Sequence, residues 1–339
     1  MSVPRELSVS GSKAVALDVT GLGSPYKQYP PAPTIFHERW WLNAVAGASL
    51  GEATVEKDGE VVGWLPFDSR KAGPFTILGM PPFTHLLGPV AIDGRGGAQN
   101  RFIREKKIIS DLVAQLPTHH HFRQHLPLSD CYGLAFQECG FRITPQYTFM
   151  IDCRKSLESI WNGMHHKTRQ HIRRAEGRNV IQTLDDPNDF IRLYLKNLAL
   201  TQRPSLESFD AFPRLFAECR QRNCGKLLCA QRTDGEPAAM VFLVWGHGVL
   251  YYLLSTRTPN AADSGSVSLL IWSAIKLAHA EGLMFDLDGV TSKGTARFLS
   301  SFGGEIVTRL VAQRSSALFG ALQSVKRRLI SNRRASIFW

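Results

Sequence analysis

The sequence predicts an α+β chain whose two halves repeat one order of elements: helix, two or three antiparallel strands, helix, strand, short helix, strand. Three observations predict it. Short β-rich apolar runs are joined by the two-residue turns Asp58-Gly59 and Asp234-Gly235, which suit antiparallel hairpins. Longer runs with helical spacing of apolar residues separate them. Residues 245–302 then read as strand, small-residue loop, long apolar helix, strand and short helix, a β-loop-α-β unit that the rest of the chain serves. The repeated order points to a duplication of one topology.

Composition bounds the reading. A chain of 339 residues suits two domains of ordinary size. Its hydrophobic share of 44% is that of a soluble globular protein. It has no apolar run of about 18 residues, so a membrane-spanning helix is not expected. The segment MSVPRELSVSGSK lacks an apolar core, so no secretory signal is expected. The six cysteines (Cys131, Cys139, Cys153, Cys219, Cys224 and Cys229) then read as free thiols in a reducing compartment. A formal net charge of +11 suggests a polyanionic partner: RNA, a nucleotide-linked donor, a sugar nucleotide or an anionic membrane face. The excess gathers in residues 167–178 and in Lys326-Arg327-Arg328 with Arg333-Arg334. A plainly solvated basic surface is the alternative.

Taken in order, residues 1–33 read as a tail and lead-in loop with one strand near 14–18. Residues 34–153 read as an N-terminal domain. It opens with a helix at 37–46 that sets Trp40, Trp41 and Val45 on one face. Strands follow at 52–57, 60–69 and 75–78. Prolines and glycines make 81–89 an extended loop. A helix at 102–116 stops at Pro117; then come a strand at 122–126, a short helix at 131–139 and a strand at 147–152. Residues 154–313 read as a C-terminal domain. A helix over 157–176 breaks near Gly163, and a strand follows at 180–183. Helices at 189–199 and 209–222 precede a meander of 226–232, 238–245 and 249–254. In the closing unit the helix spans 267–280, Gly282 ends it, and 285–289 is a short strand; 305–311 is the last strand. Residues 314–339 read as a basic terminal helix and tail over 318–330 and beyond.

Four patterns carry chemistry. The loop before the long helix, with Ser264, Gly265 and Ser266 leading to Val267, offers helix-start amides and little bulk, a fit for a pyrophosphate; Ser and Asp also cap helices with no ligand at all. The block from His165 to Ala175 places Arg169 and Arg173 on one helix face, and with Lys167 it forms a ridge that could grip phosphates or simply face solvent. Asp286 and Asp288, two apart on a strand, project from one face, so each raises the other's pKa and general-base work is open to them; a strand-end turn neutralised by Lys293 and Arg297 is the alternative. The run His119-His120-His121, with His125 and Cys131, is not read as a metal site, because successive strand residues face opposite ways. No nucleophilic triad, Walker loop or strand-linked GxGxxG stands out.

Two motifs carry a resemblance. Trp161 followed by Lys167-Thr168-Arg169-Gln170-His171-Ile172-Arg173-Arg174-Ala175 resembles the "W…K-x-R-x-x-I-R-R-A" opening of the Fem-like branch of the GNAT acyltransferase superfamily. Ala278, Gly282, Phe285-Asp286-Leu287-Asp288-Gly289, Gly294, Phe298 and Phe302-Gly303 resemble its closing "A…G…DFGG…G…FK…FG". The resemblance spans about 155–312, and 35–152 by topology alone. It implies tandem GNAT-like domains, each a mixed, mostly antiparallel sheet flanked by helices. It also implies transfer of an acyl or aminoacyl group by direct attack on the donor carbonyl, driven by positioning and oxyanion stabilisation.

Two departures shape the expectation. Leu299 stands where the family has a lysine, so Lys293 or Arg297 would substitute. The coiled-coil arm of tRNA-dependent members is absent. Both favour acyl-CoA as donor substrate, without a metal, and an amine of a small-molecule, lipid-linked or nucleotide-linked sugar as acceptor. Ser264, Gly265, Ser266 and Val267 would hold the donor. Lys167, Arg169, Arg173, Lys293 and Arg297 would bind anionic substrate groups. Asp286 or Asp288 would act as base or orient the amine, and Tyr252 would contact the acyl group. The alternatives are an aminoacyl-tRNA-dependent transferase and a non-catalytic GNAT fold that binds RNA or an anionic membrane. The expected location is cytoplasmic, with peripheral contact at the inner membrane face through the basic C-terminus.

Overall fold

A computed structural model describes residues 29–92, 97–127, 130–200, 209–259, 265–290 and 292–324. The expected strand near 14–18 and the basic tail beyond 324 lie outside these. The first half contributes α1 (Arg39–Val45), β1 (Leu50–Lys57), β2 (Glu60–Ala72), β3 (Phe75–Gly79), the short β4 (Val90–Ala91), α2 (Ala98–Ala114), β5 (His121–Leu126), α3 (Asp130–Glu138) and β6 (Arg142–Asp152). The second contributes α4 (Leu157–Gly163), α5 (His166–Glu176), β7 (Asn179–Leu184), α6 (Pro187–Leu200), α7 (Phe212–Gln221), β8 (Gly225–Arg232), β9 (Pro237–Gly246) and β10 (Val249–Arg257). After these come α8 (Ser266–Ala280), β11 (Met284–Asp286), α9 (Lys293–Ser300) and β12 (Glu305–Ser315), and a terminal helix, α10, covers 317–324.

Local chemistry explains the main boundaries. The Asp58-Gly59 turn has φ of 54° and 83°, the left-handed pair that a two-residue hairpin needs. Helix α8 ends where Gly282, at φ 64°, lets the Leu283 amide donate back to the Ala278 carbonyl at 2.8 Å. The break near Gly163 is real: α4 stops there, and His165 accepts a hydrogen bond from the Lys167 amide to start α5.

Twelve strands form a single sheet in the order β1-β2-β3-β5-β12-β6-β11-β10-β9-β8-β7, with β4 on β2. Among the described strands, only the β3–β5 and β10–β11 pairs are parallel. The halves exchange strands. β12, from the C-terminal end, lies between β5 and β6, and the far end of β6 pairs with β11. The result is a mixed α+β sheet flanked by helices on both faces.

Register assigns residues to faces. On the back, Leu65, Phe67, Leu78, Phe122 and Ala312 pack with α2 and α3, and Leu250, Phe285, Phe149 and Ile151 pack with α4, α5, α8 and α9. On the front, one apolar cluster joins Ile35, Phe36, Trp41, Trp64 and the 83–90 loop of the first half to α6, α7, Phe242, Val244 and Tyr251 of the second. Burial of large side chains there is worth about 1.5–3 kcal/mol each, so the halves are held by a shared core as well as a shared sheet. No helix among the described residues is long and apolar enough to cross a membrane. The described cysteines, Cys139, Cys153, Cys219, Cys224 and Cys229, are free thiols.

Candidate active site

The parallel strands β10 and β11 pair only over Val249↔Met284, Leu250↔Phe285 and Tyr251↔Asp286. Beyond that they part. β10 runs on to Arg257 against β9 alone, with a bulge between Tyr252 and Leu254. β11 stops because Leu287 turns its amide to the Phe149 carbonyl, at 2.9 Å, and Asp288 and Gly289 take φ of 39° and 72°. The divergence leaves one edge of β10 without a strand partner among the described residues. A bulge beside such an opening re-aims the chain at a ligand. A positive φ at a non-glycine residue, here Asp288, marks backbone held by its surroundings.

What holds Asp288 is an ionic chain on the front face. Arg309, only 4% exposed, reaches over from β12 to both Asp286 and Asp288. Thr148 on β6 donates to Asp286 at 2.6 Å, and the Asp288 amide donates to the same oxygen at 3.0 Å. His85, from the Pro- and Gly-punctuated loop of the first half, sets Nδ1 2.8 Å from Asp288 Oδ2. The His85 ring packs on Phe36 at 5.6 Å, and Phe36 meets Tyr251 edge-on at 4.7 Å. His85 therefore stands at the mouth where β10 and β11 part.

The two carboxylates differ. Burial pushes Asp286 upward against the pull of Arg309. Burial also works against the Asp288 anion, but His85 and Arg309 outweigh it and hold Asp288 well below the usual carboxylate range. Environments that drive two carboxyls apart give them separate roles. Tyr251 is raised by burial, with Asp286 adding to the shift, so it stays a neutral phenol. His125, on β5, is pushed down to about 4, chiefly by burial.

The expected site residues fall in three places. Asp286 and Asp288 lie in the ionic chain. Tyr252 alternates to the back face and packs beside the α8 cluster, where burial lifts it to about 12; the tyrosine on the site's own face is Tyr251. Gly265, Ser266 and Val267 begin α8, while Ser264 lies outside the described residues. Gly265 caps the helix at φ 100° with no side-chain hydrogen bond. A Cβ on it would sit 2.7 Å from the His171 carbonyl of α5. The Ser266 hydroxyl is buried with no partner. An uncapped helix start with an orphaned hydroxyl and room only for glycine fits an anionic group of a donor. Because β10 and β11 are parallel, this helix start and Asp286 lie toward the same end of the pair, where open sheets bind ligands.

The basic residues are more dispersed. Arg169 donates to the Trp161 and Asn162 carbonyls at 3.3 and 3.1 Å, closing the end of α4. Arg173 covers the Trp161 ring at 5.5 Å. Lys167 is exposed on α5, and Lys293 and Arg297 are exposed on α9. Leu299, where the resemblance calls for a lysine, is 2% exposed and packs in the core with Phe302. The histidine run is spent locally: His120 accepts from the Thr76 amide, and His121 bonds Ser315. Among the described residues no cluster of His, Cys, Asp and Glu is placed to hold a metal ion. A hollow of about 370 Å³ near His119 and Arg314 lies at the other end of β12 and holds no acid–base pair.

His85 and Arg309 were not singled out from the sequence. An arginine inside the alternating strand Val307-Thr308-Arg309-Leu310-Val311 was a usable signal, since a charge on a buried strand face needs a partner. His85 had no such signal, because nothing local tells that its loop folds over β11.

Comparison with known proteins agrees with this geometry. Residues 163–315 match the acetyltransferase (GNAT) domain. No curated protein sequence matches the chain. Among solved structures, FemX is similar over 78% of this chain and 87% of its own, at TM-score 0.56 and 13% identity. The C-terminal domain of a protein named as lysylphosphatidylglycerol synthetase, from Agrobacterium fabrum, is similar over 82% and 88%, at TM-score 0.53 and 16% identity. A tandem GNAT protein from the clavulanic acid biosynthesis pathway is similar over 79% and 84%, at TM-score 0.50 and 10% identity. At these identities the likeness is one of fold, shared with FemX and with a tandem GNAT protein.

Proposed function

We propose that this chain, whose residues 163–315 form an acetyltransferase (GNAT) domain, moves an acyl group from acyl-CoA to an amine of a cell-envelope sugar, with His85 as general base. The observation that carries this is the chain His85–Asp288–Arg309–Asp286 at the mouth of the β10–β11 opening. Asp288, kept anionic, orients the His85 ring through Nδ1 and stabilises the imidazolium that forms; the other ring nitrogen is left for the acceptor. The amine attacks the thioester carbonyl, C–N forms, C–S breaks, the amine proton passes to His85, and the thiolate leaves. The free edge of β10 can take the amide-bearing arm of the donor as an added strand. The start of α8 would hold the donor's pyrophosphate through its first-turn amides, beside Gly265. Binding of CoA by calorimetry tests the donor, and release of CoA thiol with amino sugars tests the reaction. No binding of any CoA ester would remove the donor from this reading.

One observation favours a second donor. Helix α5 presents Lys167, Arg173 and Arg174 outward and touches the start of α8 through His171. A cationic helix beside the donor site also suits the backbone of an aminoacyl-tRNA. Binding of aminoacyl-tRNA that falls steeply with salt, with no response to CoA, would select that reading. In either case we place the work of the chain in the cytoplasm, at the inner membrane face, where fractionation can look for it.

A further inference from the structure

Two cysteines where α7 gives way to β8 take no part in the chemistry proposed above. Helix α7 ends in a closed turn. Asn223 takes φ of 51°, its amide donates to the Arg220 carbonyl at 3.0 Å, and the Cys224 amide donates to the Cys219 carbonyl at 2.9 Å. These two bonds make the left-handed helix stop most often built on glycine, and they fold the residue past the turn back against the last turn of the helix. Both residues that meet there are cysteines. Gly225 tightens the contact: a Cβ on it would sit 2.6 Å from Cys219 Cβ. With ordinary bond lengths, the 2.9 Å bond keeps the two cysteine Cα atoms within about 7 Å, a span that a disulfide bridges.

The two sulfurs are unequal. Cys219 is buried in the apolar cluster that joins the halves, and Cys224 is half-buried at its edge. The Cys219 thiol donates to the Cys224 sulfur. That hydrogen bond, with Arg222 beside it, holds Cys224 below the usual thiol range against its partial burial and the Glu38 carboxylate. The same bond, with burial and Glu218, pushes Cys219 up. Glu38 is engaged by His247, and Glu218 by Arg222. Cys153 and Cys229 differ: they are buried, and burial chiefly pushes them up to about 12 and about 11. A partly exposed sulfur that readily ionises, backed by a second thiol in contact with it, is the arrangement that thiol–disulfide exchange needs.

We propose that Cys219 and Cys224 form a dithiol modification site that reacts with low-molecular-weight disulfides of the glutathione class. The Cys224 thiolate attacks one sulfur of the disulfide, a mixed S–S bond forms, and the first small thiolate leaves. The mixed disulfide removes the acceptor that held the Cys219 proton. That proton passes to the departed thiolate, and the Cys219 sulfur attacks the Cys224 sulfur. The Cys219–Cys224 bond forms, and the second small thiolate leaves and takes a proton from water. Two protein thiols are oxidised, and one small disulfide is reduced to two thiols.

Differential alkylation and peptide mapping of the full reduced chain test this, with glutathione disulfide as the probe. Trypsin cuts after Arg220 and Arg222, so the new bond links two peptides that are otherwise separate. The wild-type chain should lose two thiols, yield that linked pair, and recover both thiols with dithiothreitol. Iodoacetamide at neutral pH should label Cys224 roughly tenfold faster, or more, than Cys153 or Cys229. In Cys219→Ser, one glutathione should stay on Cys224. In Cys224→Ser, a change at a half-buried position, Cys219 should stay reduced, and this variant decides the matter should the buried one misfold. A wild-type chain that keeps both thiols overturns the inference. So does a glutathione adduct that persists on Cys224 in the wild type, or a Cys219 that reacts in Cys224→Ser as fast as Cys224 does in the wild type. None of these measurements uses CoA or an acceptor, so they stand apart from the transferase reading.

Discussion

Replacing Arg309 by methionine is the most demanding test of the ionic chain. The side chain is 5% exposed and is shared by two carboxylates. Its removal leaves Asp286 with the Thr148 hydroxyl and the Asp288 amide, and Asp288 with His85. None of these replaces a buried guanidinium. Breaking a buried ion pair from one side costs about 3–5 kcal/mol. Unfolding entropy of about 2.1 cal/mol/K per residue, over 339 residues, converts this to a fall in Tm of about 4–7 °C. The sign of the pH dependence follows from Asp286. Its pKa is already raised by burial, and without Arg309 it rises further. Protonation then relieves the unpaired charge, so the deficit relative to wild type shrinks as pH falls from 8 to 5. Parallel urea and thermal melts at both pH values read this directly. A deficit below about 1 kcal/mol at both, or one that grows in acid, would refute the reasoning. Adding Asp286→Asn and Asp288→Asn to the methionine variant should recover part of the loss.

Other predictions follow from single residues. His37 and His125 are held neutral by burial, at about 3 and about 4, against about 6.5 in the unfolded chain. Depressed values mean stability that is complete above about pH 6.5 and lost as pH falls toward 4, with about two protons taken up on unfolding at pH 5; His125→Asn should remove one of them in a pH series of melts. Gly265→Ala puts a Cβ 2.7 Å from the His171 carbonyl at φ 100°. It should cost about 1–3 kcal/mol in denaturation and weaken CoA binding in calorimetry; unchanged CoA affinity would separate α8 from the donor. Leu299→Lys puts the lysine that the resemblance calls for at a buried position. It should destabilise by about 3 kcal/mol or more without raising turnover, and a gain in activity would contradict the packing described.

Local chemistry was readable because its causes are local. Gly282 ends α8, Asp58-Gly59 turns β1 into β2, and alternation puts Asp286 on the front face of the sheet, whereas the expected strand over 285–289 stops at Asp286 and Asp288 sits in the left-handed turn beyond it. The same alternation placed Tyr252 on the opposite face, and Tyr251 took the position by the site. What the sequence did not disclose depends on long-range pairing. The reach of Arg309 to Asp286 requires β12 to lie against β6, beside β11. His85 meets Asp288 only because a loop of the first half closes over the second. Leu299 follows from helix packing: its face of α9 is the one turned to the core. Ser264 lies outside the described residues, so the loop before α8 is seen only from Gly265 onward.

The central claim is that His85, oriented by Asp288, takes the proton from the acceptor. Its most direct test is the pH–rate profile of CoA-thiol release by His85→Gln with an amino-sugar acceptor, alongside CoA affinity. The account predicts that kcat falls by about 10²–10⁴, that the acid limb of the wild-type profile disappears, and that CoA binding stays within twofold. A kcat within threefold of wild type with the acid limb intact would contradict it.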